Sequence, residues 1–159
     1  MSDDAGPSSG RDLHSVSYDL ALPCPRRRGR YVPVISIGLQ LGQGSVRLFE
    51  ALMDSGAEMC LFHGGIARDL GIDPAAGALW TLPISGVGGA TGATAYGHRV
   101  TLYVGDAVSF RSFDADVGFT DPTVTFPVNV LGWTGFLDRV RVGIDGAALP
   151  PLVYLGFTL

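Results

Sequence analysis

The chain has 159 residues, 47% hydrophobic and only 16% charged, the composition of one globular domain with its own core rather than of a disordered segment. A net charge of -4 excludes a broad electrostatic grip on nucleic acid. No apolar run reaches the length of a membrane span, and two cysteines, Cys24 and Cys60, do not make a disulfide framework.

Residues 1–28 read as a flexible N-terminal tail and linker, and 29–159 as the folded domain. The opening "MSDDAGPSSGRDL" is polar and acidic, unlike a secretory signal. A reducing compartment suits both cysteines, and with this opening the expected location is cytoplasmic. "VSYDLAL" alternates and fits an added edge strand. "PCPRRRGR" follows, and its prolines predict an exposed Cys24. The cluster Arg26, Arg27, Arg28 and Arg30 could meet an acidic partner, but a solvated linker is the simpler reading.

Ordered structure is expected from Tyr31. "YVPVISIGL" has strand period, "GQG" is a turn, and "SVRLFEALMD" completes a hairpin. After "EMCLFHGG", the residues Ile66, Ala67, Leu70 and Gly71 fit a short helix with a glycine cap, with His63 before or capping it. "LWTLPIS", the glycine-rich "GVGGATGAT" and "YGHRVTLYVG" read as a long hairpin with a flexible tip, and His98 as a solvent-facing residue on it. "AVSFRSFDADVGF" is one long strand or a pair. "TFPVNVLG" is an apolar strand, "WTGFLDRV" a short helix or turn, and "RVRVGID" and "PLVYLGFTL" are closing strands. The expected class is all-β, with about eight strands and two short helices.

Three stretches stand out. "LMDSGAEMCLF" ends an apolar strand on Asp54, followed by Ser55, Gly56 and Ala57. "GVGGATG" includes Gly86, Val87, Gly88, Gly89 and Ala90. "VNVLGWTGFLDRVRVGID" carries Val130, Leu131 and Gly132. In this order and spacing they resemble the retropepsin-like aspartic proteases, in particular a bacterial single-domain group with a C-terminal pattern of the form "LGxxGFLDR". The likeness covers roughly residues 31–145.

The resemblance implies a closed barrel, one half of an acid protease, with a flap hairpin. It implies an aspartic endopeptidase acting on an extended polypeptide, with Asp54 as the catalytic carboxylate. Peptide hydrolysis by carboxylates needs two of them close together, one as general base towards water and one as general acid. Their proton is shared, so their pKa values belong to the pair. The chain has one Asp-Ser-Gly motif; Asp145-Gly146-Ala147 lacks the hydroxyl residue and reads as a β-turn. The second Asp54 therefore comes from a second chain, in a two-fold homodimer.

By the same resemblance, Ser55 ties the two active-site loops together, and Gly56 lets the backbone approach and donates its amide to a carboxylate. Gly86–Ala90 form the flap over the substrate, which adds as a strand. Val130, Leu131 and Gly132 pass under the Asp54 loop. Retroviral enzymes carry an arginine after that glycine, paired with an acid; here the positions hold Trp133 and Glu58, and Arg139 or Arg99 are candidate replacements. No metal or organic cofactor is implied. The alternative is a catalytically silent dimerisation or peptide-binding module of the same fold.

Other chemistries fit less well. His14, His63 and His98 lack metal-ligand spacing. There is no Gly-x-Ser-x-Gly elbow for a serine hydrolase. "GVGGATG" precedes a strand rather than opening a helix, unlike a dinucleotide site. Trp80 and Trp133 read as packing residues, as does Cys60.

Overall fold

A computed structural model describes residues 17–85, 91–106, 108–125 and 127–157. Among them are twelve strands and one helix. In chain order these are β1 (Leu20–Pro23), β2 (Arg26–Arg27), β3 (Arg30–Tyr31), β4 (Val34–Gln40), β5 (Arg47–Met53), β6 (Leu61–Phe62), α1 (Gly64–Asp69), β7 (Trp80–Ser85), β8 (Thr91–Gly105), β9 (Phe110–Thr120), β10 (Asn129–Leu131), β11 (Val140–Asp145) and β12 (Leu152–Phe157).

Alternation builds the main sheet. In β4, Ile35, Ile37 and Leu39 are buried while Ser36 is exposed, and Val100, Leu102 and Val104 repeat the pattern on β8. The strand order is β4-β5-β10-β6-β9-β8-β7, and β4 also pairs with β8. That last pairing joins Ile37–Gln40 to Thr101–Val104 and closes the sheet into a barrel. The other half of β8 pairs with β7 and projects from the barrel as a hairpin. The tip of that hairpin, Gly86–Ala90, lies outside the described residues. Within "AVSFRSFDADVGF", the residues from Phe110 on belong to one strand, β9, paired along its length with β8.

The barrel interior is filled by Phe62, Phe119, Phe136, Leu102, Leu131 and Val117, all essentially inaccessible. Helix α1 packs against β9 and buries Ile66 and Ala67. His63 Nδ1 accepts the Gly65 amide at its start, and Gly71 (φ 88°) ends it, with the Ile72 amide returning to the Ala67 carbonyl.

A second sheet, β1-β12-β11, packs beside the barrel. The edge strand expected in "VSYDLAL" is β1, antiparallel to β12, with Leu20 and Leu22 buried. Residues 26–31 form the two-stranded β2–β3 hairpin, so the boundary expected at residue 28 falls within its turn.

Two local expectations are corrected, and one open alternative is decided. Cys24 is buried, because the Cys24 amide donates to the Pro151 carbonyl and fixes the chain against the second sheet. His98 is buried rather than solvent-facing; its Nε2 lies 2.7 Å from the Pro74 carbonyl and its ring packs on Phe119. "WTGFLDRV", expected as a short helix or a turn, is a run of turns. Its Leu137 and Asp138 amides reach back five residues, to Gly132 and Trp133, and the Asp138 carboxylate accepts the Gly135 amide. No helix among the described residues is long and apolar enough to cross a membrane.

Candidate active site

Strand β5 delivers Asp54. Its last residues, Ala51–Met53, pair in parallel with Asn129–Leu131 of β10, and β10 also pairs antiparallel to β6 at Leu61. The chain segments before and after Asp54 thus flank a third strand from far along the sequence. The Asp54 amide donates to the Leu131 carbonyl (3.1 Å), so the carboxylate sits where β5 leaves the sheet.

The turn that follows is built around that carboxylate. The Gly56 amide donates to Asp54 Oδ1 at 2.8 Å, and the Ala57 amide to the Asp54 carbonyl at 3.1 Å. Trp133 then doubles as a brace. Its amide donates to the Ala57 carbonyl (3.0 Å) and its indole Nε1 to the Ser55 carbonyl (2.7 Å). The Thr134 amide continues the ladder to the Glu58 carbonyl (2.9 Å). Gly132 is pressed against the underside of the loop. A Cβ there would lie 2.3 Å from the Met59 carbonyl oxygen and 2.7 Å from that of Ala57. Only glycine fits without moving the backbone.

Asp54 is half-buried, Ser55 and Gly56 are exposed, and Ala57 is partly covered. Asp54 opens into a cleft of about 560 Å³. Its walls are Leu52, Leu61 and Val130 from the barrel and Leu82, Pro83 and Ile84 from β7. Glu58 lines the same cleft. Leu131 points instead into the core. Asn129 was not anticipated; its Nδ2 donates to the Glu50 carbonyl and its Oδ1 accepts the His63 amide, which ties β10 to both neighbours. An asparagine inside an apolar strand was its only signal.

Other titratable groups are structural. Cys60 lies under the loop, and burial pushes its thiol up to about 12, so it is no nucleophile at neutral pH. Arg99 is bidentate to Asp116 across β8 and β9 (2.7 Å), which holds the Asp116 carboxyl below its usual range. Arg139 lies near Asp138. Neither arginine pairs with Glu58, and no ion pair to Glu58 exists among the described residues. Asp145 forms the expected turn, its carboxylate accepting the Ala147 and Ala148 amides. No group of three or more His, Cys, Asp or Glu side chains suited to a metal occurs among the described residues.

The sequence matches no protein-family model and no curated protein. The fold does have solved counterparts. A retropepsin-like aspartic protease from Rickettsia conorii superposes with a TM-score of 0.55 over 86% of this chain and 89% of its own, at 15% identity. The chain has a retropepsin-like fold. EIAV protease, solved with the inhibitor HBY-793, aligns over 68% of this chain and 88% of its own at 15% identity; its TM-score of 0.39 adds no weight to the assignment. In the retropepsin-like fold of this chain, the barrel, the β7–β8 hairpin and the threaded β10 together form the cleft around Asp54.

Proposed function

We propose that this chain is an aspartic endopeptidase whose active site is completed by a second copy. The observation that carries the reading is the half-buried Asp54 at the end of β5. It is held by the Gly56 amide and opens into a cleft roofed on one side by the β7–β8 hairpin.

One chain brings one such carboxylate to the cleft. Two Asp54 groups facing each other across a two-fold axis share a proton. The ionised member takes a proton from water, which attacks the scissile carbonyl carbon. The protonated member donates to the carbonyl oxygen, giving a gem-diol; as the C–N bond breaks, the proton taken from water passes to the leaving amine and a gem-diol hydroxyl returns its proton to the other carboxylate. No cofactor takes part. An extended peptide lying along the cleft gains main-chain hydrogen bonds to β7 and the loop at Glu58, with apolar pockets for alternate side chains.

The face beside Ser55 supports pairing of two copies. Exposed Trp133 and Ile144 and half-exposed Val142 line an apolar groove with Ser55, Met53 and Leu137. β11 is the open edge of its sheet. Exposed apolar surface along a free strand edge is the kind of surface that a partner covers.

The test is cleavage of denatured casein from about pH 3 to about pH 8 at several protein concentrations, beside Asp54→Asn. Wild-type cleavage that is lost in the variant, with specific activity rising with concentration, is the expected result. A folded dimer that cleaves nothing would instead support the second reading, a peptide-binding module of the same fold. One observation favours that reading: Glu58 has no arginine partner among the described residues.

A further inference from the structure

The cleft at Asp54 continues beyond the active-site loop. It shares Leu52 and Val128 with a second groove of about 560 Å³, whose far wall holds Arg27 and Glu50. Strand period explains the line. Asp54, Leu52 and Glu50 follow one another at two-residue steps, on one face of β5 and its extension. At about 3.3 Å per residue, Glu50 lies about 13 Å from Asp54. Four residues of extended peptide cover that distance.

The most basic part of the chain stands at this end. Of 11 basic residues, four lie on the β2–β3 hairpin, at 26, 27, 28 and 30, and all four are exposed. The hairpin is shaped rather than loose. Arg28 (φ 48°) and Gly29 (φ 80°) both take positive φ, as a two-residue type I′ turn requires. Arg26 packs over the Tyr31 ring at 5.9 Å and donates to the Gly29 carbonyl. Arg27 donates to both Glu50 oxygens at 2.6 Å. Arg28 and Arg30 have no acidic partner among the described residues. The hairpin thus carries four cations, of which Arg27 lines the groove and pairs with Glu50, on a chain whose net charge is -4.

We infer that the β2–β3 arginines form an outer substrate subsite, which selects an acidic side chain about four residues from the scissile bond. The inference rests on the protease reading for the position of that bond. An acidic substrate side chain meets the excess positive charge of Arg28 and Arg30 and competes with Glu50 for Arg27. A basic one meets repulsion. In a two-fold dimer the subsite recurs at both ends of the cleft, so acids are favoured on either side.

The experiment uses one peptide taken from the casein cleavage sites, remade with Glu, Gln or Lys three to five residues from the cut bond. The expected order of kcat/KM is Glu, then Gln, then Lys, with steps of about threefold, the size of one exposed ion pair. About 0.5 M salt should compress the order. Arg27→Gln combined with Arg28→Gln and Arg30→Gln should bring the Glu/Gln ratio close to one. Glu50→Gln should raise it, because Arg27 is released. Fluorescence anisotropy of the same three peptides on Asp54→Asn reads the same order without turnover. A flat or reversed order, or a ratio unmoved by the arginine substitutions, overturns the subsite. If neutral peptides are still cut in an Asp54-dependent way, the protease reading survives that result. If Asp54→Asn cleaves like wild type, the protease reading falls, and the subsite with it.

Discussion

The indole Nε1 of Trp133 donates to the main-chain carbonyl of Ser55 at 2.7 Å, across 78 residues of sequence. The bond fixes the turn that carries Asp54 without using any charge. Trp133→Phe keeps an aromatic ring and deletes the donor. It should cost about 1 kcal/mol of stability, a small shift in a urea midpoint. Peptide cleavage should fall by a larger factor, because the loop and not the fold loses its brace. Equal small losses in both would show that the bond only packs the surface.

Gly132→Ala tests the space below the same loop. Its Cβ would press on the Met59 and Ala57 carbonyls, backbone atoms that cannot rotate away. Overpacking of this kind costs about 1–3 kcal/mol. A lowered urea midpoint with unchanged slope is the expected outcome.

Ile144→Lys places a charge on the apolar groove beside Ser55, at a residue that is 64% exposed and does not line the cleft. The monomer fold should tolerate it. Sedimentation should show a weaker dimer, and specific activity should recover only at higher protein concentration. Unchanged self-association would move the interface elsewhere.

Asp19 gives a pH dependence. Its carboxyl is held below the usual range, first by the Phe157 amide it accepts and also by the Arg111 guanidinium. The unfolded chain, with the ordinary higher value, takes up that proton first as pH falls. The stabilisation is therefore complete above the unfolded carboxyl pKa, about 3.9, and is lost as pH drops through the folded one. Asp19→Asn should lower the urea midpoint at neutral pH, and the gap from wild type should narrow steadily as the pH falls below about 3.9.

Both thiols are buried, and burial raises both pKa values, that of Cys60 to about 12. A thiol reagent at about pH 8 should react slowly with the native protein and quickly with both cysteines in denaturant. Rapid native labelling of Cys24 would show that the strand β1 end opens readily.

The barrel was legible because its strands repeat with period two against one core, as in "VISIGLQ" and "RVTLYVG". Asp54 stood out because a carboxylate ending an apolar strand needs a reason. What pairs with what was harder to read. Nothing local in "NVL" says that three residues will lie between β5 and β6. His98 looked polar and therefore exposed, but the Pro74 carbonyl satisfies its ring inside the barrel wall. Cys24 looked like linker, and its burial depends on Pro151, which only the folded chain brings near. The role of Trp133 was hidden for the same reason: its partner is a backbone carbonyl, which leaves no mark in sequence.

Threading β10 between β5 and β6 also sets a schedule. Contacts of such separation form late, because a long loop must close before they repay its entropy. During synthesis, β5 and the Asp54 turn leave the ribosome well before Asn129–Gly132 and Trp133, which hold them. Until then the carboxylate rides on an unbraced turn. The turn at Asp54 is therefore complete only when the last fifth of the chain has been made.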